Sequence, residues 1–191
     1  MFALLAHWFA AVCGQYPGHT WAPGGILLPC CQRCTGLYVG AGAAALLHLW
    51  LRPKLSGRFL EIHGAFLVVM VPFGFHWVAQ GSVLRTLTGV LFGFGVVTFL
   101  WLPLSQRAGK SLSRPFRVQD SAWGYFFMLG ATLILLPTTA ILGGAFAAYG
   151  LAGAAFWGAL VLAALIAGDV CLGLLGALRL LRRLTRPRLQ P

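Results

Sequence analysis

Long apolar runs broken only by short turns constrain this chain more than any other feature. They cover about residues 36–51, 59–79, 84–104, 122–142 and 151–178. Each can form a helix able to cross a hydrocarbon core about 30 Å thick, the first by reaching back into the polar motif before it. Only 9% of the 191 residues are charged, against about a quarter in soluble domains. In lipid every backbone N–H and C=O must be satisfied internally, which leaves helices as the fitting element. The expected fold is all-α: a polytopic helical membrane protein with about five transmembrane helices. Turn signals lie at Arg52-Pro53, Gln80 to Ser82, Pro103 and Gly143-Gly144.

Residues 1–12 are also apolar, but at about 18 Å they are too short to span. They lack the basic leader and small-residue cleavage site of a signal peptide. A short interfacial helix is expected here, and a start site further upstream would explain the same shortness. The whole of 1–191 reads as a single membrane domain. Residues 1–35 form a cysteine-containing segment, 36–104 a three-helix core, and 105–191 a basic loop, two further spans and a basic tail.

Charge sets the orientation. The net charge is +11, with only Glu61, Asp120 and Asp169 as acids. Twelve of the 14 Lys and Arg residues fall in the 52–58 loop, the 105–119 loop and the tail from Arg179. Five alternating spans put all three on one face, which the positive-inside rule makes cytoplasmic. The C-terminus is then cytoplasmic and residues 1–35 extracytoplasmic, in a multi-pass protein of the cytoplasmic (inner) membrane of a bacterium. The expected partners are the bilayer and anionic lipids of its inner leaflet, at about 1 kcal/mol per cation, with no nucleic acid. A homo-oligomer is left open. Gly36, Gly40 and Ala44 make one small-residue ridge and Gly89 with Gly93 another, as close helix packing in lipid requires.

Four of the five cysteines, Cys13, Cys30, Cys31 and Cys34, precede or open the first span. A helix starting near Gln32 puts the Cys31 and Cys34 thiols on one face of its first turn. Free N–H groups and the helix dipole there favour thiolate. Cys30 adjoins Cys31 and is the spare of the four. Three readings follow. Cys13, Cys31 and Cys34 with His19 or His76 would suit zinc or another thiophilic ion. Cys31 and Cys34 alone would serve a membrane thiol–disulfide oxidoreductase. Structural disulfides in a non-catalytic scaffold are the third, and four cysteines allow three pairings. Whether the protein is an enzyme stays open.

The order Cys13-Gly14-Gln15, His19-Thr20 and Cys31-x-Arg33-Cys34-Thr35-Gly36-x-Tyr38-x-Gly40 resembles a family of uncharacterised prokaryotic membrane proteins, domain of unknown function 2085. Pro72 and Gln80 fit its second span. Arg85-x-x-Thr88-Gly89 through Gly93 fit its next block, so the resemblance covers about residues 7–100. Two positions depart from the pattern. The family's His after the first Cys is Gly14 here, and its Asp in the second span is His76. The resemblance implies a membrane fold and adds weight to metal binding, with His76 compensating for the missing His at 14; it supplies no activity.

Other polar residues complete the candidates. Arg33 and Arg85 are the only cations on the outer face and could hold a lipid phosphate, a thiolate or a substrate anion. Headgroup snorkelling is the plain alternative. Asp169 lies within a span, and His48, Glu61 and His63 sit at similar depth, as a proton or ion path or a structural cluster would need. Cys171 reads as a small buried apolar residue. Trp8, Trp21, Trp77, Trp101 and Trp123 read as interfacial aromatics.

Overall fold

A computed structural model describes residues 2–53, 55–75, 77–108 and 122–185. Among them are six α-helices: α1 (Phe2–Ala10), α2 (Gln32–Trp50), α3 (Gly57–Gly74), α4 (Ser82–Ala108), α5 (Ala122–Leu142) and α6 (Ala145–Thr185). Two 3-10 turns, Pro17–His19 and Pro23–Gly25, interrupt the α1–α2 connection, and no strand forms among the described residues. The fold is all-α, as the apolar runs require.

Four helices, α3 to α6, are long and apolar enough to cross a membrane. The first expected span, α2, falls outside this set because Gln32, Arg33, His48 and three glycines dilute its 19 residues. It is nonetheless the centre of the bundle, packed against both α4 and α6. Its buried face includes Thr35, Gly36, Gly40, Ala41, Ala44 and His48. A helix enclosed by other helices does not need an oily surface, so its polar content and its central place go together.

Small residues set the helix pairing. A Cβ at Gly40 would lie 2.7 Å from the Val90 carbonyl oxygen. Cβ atoms at Gly36, Gly89 and Gly93 would strike the carbonyls of Thr86, Arg33 and Leu37 respectively. Contacts of 36 with 86 and of 40 with 90 make α2 and α4 parallel. Gly42 against Gly158 brings α6 alongside. Gly95 against Leu67, and Gly64 against Phe99, make α3 antiparallel to α4. Both expected ridges are therefore packing surfaces, with backbones close enough for dispersion to hold helices together in lipid.

One end of the bundle thus gathers the start of α2, the end of α3 and the start of α4. The α5–α6 turn joins them, since Gly24 (φ +57°) lies against Gly144 and Ala145. A Cβ there would come within 2.6 Å of the Ala145 nitrogen, so this approach and this backbone conformation both ask for glycine. α1 docks at the same end through Phe9 on Tyr38 and Phe2 on Tyr149.

Several expectations are corrected. The third apolar span runs Ser82–Ser105, close to expectation, but Pro103 does not end the helix: α4 runs on to Ala108. A proline inside a membrane helix costs one hydrogen bond and a local clash, which a neighbouring turn absorbs. Trp21 is not an interfacial ring; it is buried, and its Nε1 donates to Thr86 Oγ1 at 2.9 Å. Trp101 stacks on His48 at 5.7 Å, whereas Trp8, Trp77 and Trp123 are exposed. Cys171 is exposed rather than buried, on a stretch of α6 where Val170, Leu174 and Leu175 are exposed as well. Most of the basic 105–119 loop and the tail beyond Thr185 lie outside the described residues.

Candidate metal centre

The cysteine segment is fixed to the bundle before any ligand is considered. Gln15 adopts a left-handed conformation (φ 48°), and its side-chain amide donates to the carbonyls of Ala6 and, at 2.8 Å, Pro29. One side chain therefore ties α1 to the loop that carries Cys30 and Cys31. Thr20 pairs with Cys31 as an isolated β-bridge, and Leu28 N–H donates to Trp21 C=O at 2.9 Å. Trp21 then anchors the loop to α4 through Thr86. These contacts bring Cys13, at the end of the first segment, back over the start of α2.

Cys31 is the N-cap of α2, and Cys34 lies in its first turn. Their thiols and that of Cys13 lie within 4.8 Å of one another. Cys31 N–H donates to Cys13 Sγ at 3.3 Å. Hydrogen bonds from the Cys31 thiol first, then from Cys34, hold the Cys13 thiol far below its ordinary pKa, against the opposing effect of burial. The Cys31 and Cys34 sulfurs both face Cys13 Sγ. Cys30 is excluded from the group: it is buried, its Sγ lies 3.4 Å from Thr35 Oγ1, and burial pushes its pKa up to about 12. It is the spare the sequence suggested.

The three sulfurs fit a thiophilic ion. Sulfurs about 2.3 Å from a tetrahedral zinc stand about 3.8 Å apart. The 4.8 Å limit of the present spacing is about 1 Å wider than that. Two of the three sulfurs come from one helical turn and the third from a docked loop, an arrangement that exists only in the folded chain.

The remaining candidates divide. His19 lines the same cleft but stays outside the group of three, its ring beside Tyr16 at 6.1 Å. Arg33 and Arg85 also line the cleft. One Arg33 nitrogen donates to the Phe73 carbonyl at 2.8 Å and to Gln80 Oε1 at 2.5 Å, while Gln80 Nε2 donates to the same carbonyl at 2.6 Å. Arg33 and Gln80 together cap the C-terminal end of α3, freed by the turn near Pro72. His76 lies outside the described residues. Gly14 carries no ligand, and a Cβ there would approach the Tyr16 ring at 3.0 Å. Tyr16 thus stands close to where the family's His would begin.

At the opposite end, part of the expected polar cluster assembles. His48 Nε2 bonds Thr98 Oγ1 at 3.0 Å, and His63 Nε2 bonds the Tyr125 hydroxyl at 3.1 Å. Thr98 and Tyr125 meet at 3.4 Å, and all four side chains are fully buried. Glu61 and Asp169 do not join. Glu61 faces outward, and one buried oxygen of Asp169 has no partner among the described residues. Thr98 and Tyr125 were the members that sequence reasoning missed.

Residues 13–99 match the family model described as predicted membrane protein (DUF2085), and over this segment, a little under half of the chain, the protein is similar to that family. No curated protein and no solved structure matches the chain. The matched segment begins at Cys13 and includes Cys31 and Cys34, so the whole three-sulfur group lies within it. α5 and α6 lie outside.

Proposed function

We propose that this multi-pass membrane protein binds a thiophilic divalent metal such as zinc through Cys13, Cys31 and Cys34. The observation that carries this is the convergence of three sulfurs within 4.8 Å from two separate segments of chain. A redox Cys-x-x-Cys needs two sulfurs, and a disulfide staple needs pairs. Three sulfurs around a common point suit a metal better than either. Orientation forms part of the proposal: five spans including α2, the metal end facing out of the cytoplasm, and the C-terminus facing in. Arg52 and Arg58, at the end opposite the cysteines, support it through the positive-inside rule. The basic tail and loops then rest on anionic lipids of the inner leaflet.

The test is elemental analysis with thiol counting on the full chain purified without reductant. About one equivalent of zinc is expected, lost in Cys13→Ser and Cys34→Ser and kept in Cys30→Ser and Cys171→Ser. Metal-free protein with a rapidly exchanging Cys31–Cys34 bridge would favour the oxidoreductase. Metal-free protein with an inert bridge would favour the scaffold.

A further inference from the structure

A zinc-like ion takes four ligands, and three sulfurs supply three. Among the described residues no other Cys, His, Asp or Glu joins the group. The sulfurs border a cleft of about 270 Å³, larger than a bound ion or water needs. Its wall carries Arg33 and Arg85.

The charge balance of this cleft is unusual. Arg33 Nε is buried with no partner among the described residues, while one terminal nitrogen of the same guanidinium caps α3. The half-buried Arg85 guanidinium makes no hydrogen bond or ion pair to a described residue. Among the described residues no carboxylate lines the cleft. Glu61 lies near the start of α3, Asp169 lies deep in α6, and Asp120 lies outside the described residues. Three thiolates with a divalent ion carry one net negative charge, and two guanidiniums overbalance it by one. A partly buried excess cation is costly unless something pairs with it.

We propose that an anion bearing a phosphate group enters this cleft, completes the metal's coordination with one oxygen, and is held by Arg33 and Arg85. This rests on the metal reading. The guanidinium fork matches phosphate oxygens two at a time. The N-terminal end of α2 adds its dipole to the same place, where Cys31 caps the helix. Because the cleft opens where the helices end, the phosphate can belong to a soluble ester or to a lipid headgroup.

The experiment uses the full chain in an uncharged maltoside detergent, loaded with Co²⁺, whose visible absorption reports its coordination. The probes are inorganic phosphate and a soluble short-chain phosphatidylglycerol, at constant ionic strength. A saturable spectral change is expected. Arg85→Gln should raise the half-saturating concentration about tenfold or more while cobalt stoichiometry stays the same. Arg85 is chosen because Arg33 also caps α3. Saturation by the lipid well below phosphate assigns the headgroup, and the reverse order assigns a soluble ester. Cobalt bound at one equivalent but blind to both probes overturns this inference and leaves the metal reading standing. A response unchanged by Arg85→Gln overturns the inference as well. Failure to load cobalt overturns both.

Discussion

Tyr125 places its hydroxyl between His63 and Thr98 in a part of the bundle with no exposure to solvent. Tyr125→Phe keeps the ring contacts with Phe59, Phe94 and Phe126 but leaves His63 Nε2 unpaired. A buried polar group without a partner costs about 1–3 kcal/mol, and membrane double-mutant cycles centre lower, near about 0.6 kcal/mol. We expect a lowered thermal midpoint in detergent and an unchanged metal content; a variant as stable as the parent would show that the chain of hydrogen bonds contributes nothing. The two histidines could be picked out of the sequence because intramembrane histidines are rare and costly. Thr98 and Tyr125 could not, since a Thr bonded to its own helix and a Tyr near a span end are ordinary. Only the rotation of α4 and α5 makes them partners. Glu61 shares their depth and still faces away, which depth alone does not tell.

Helices meet here through backbone, and this is where substitution is least tolerated. Gly93 sits where a Cβ would strike the Leu37 carbonyl, whereas nothing lies within 4 Å of a Cβ at Gly130. Gly93→Leu is expected to separate α2 from α4, with loss of the monodisperse peak on size exclusion and loss of metal, since Cys31 and Cys34 ride on α2. Gly130→Leu should behave as the parent. Equal behaviour of the two would mean that the α2–α4 approach does not hold the fold. These ridges were legible because glycine every four residues has little other use in a lipid-embedded helix. The rank of α2 was less legible. Its polar residues lower its hydropathy because α4 and α6 enclose it, and enclosure is a property of the bundle. Likewise, whether Pro103 ends a helix depends on what α4 packs against, and a residue pair cannot report that. The convergence of Cys13 on Cys31 and Cys34 was foreseeable as chemistry, but the means were hidden. It depends on the left-handed Gln15 and on Trp21, which reads as an interfacial ring until its Nε1 is seen on Thr86.

For the molecule as a whole, the site and the proposed orientation are linked and can be tested together. If twelve of 14 cations stay on the cytoplasmic face, the three-sulfur cleft must open to the other side. A membrane-impermeant chelator added to intact spheroplasts should then strip the metal from the protein, while in sealed inverted vesicles the metal should persist until detergent is added. Cys171 supplies an internal control. It is exposed on α6, well beyond the level at which that helix meets α2. In a variant with Cys13, Cys30, Cys31 and Cys34 replaced by serine, an impermeant maleimide reaching Cys171 at all should do so only from the cytoplasmic side. A C-terminal fluorescent reporter should fold and fluoresce, and a periplasmic phosphatase fused at the same point should stay inactive. The opposite pattern in all three readouts would reverse the protein in the membrane, and would turn the cleft into a cytoplasmic metal site reached from a reducing pool. A split result, with the reporter inside but the metal also stripped only from inside, would place both ends on one face. That would remove α2 or another helix from the set of spans, because only an odd number of crossings separates the cysteine segment from the tail.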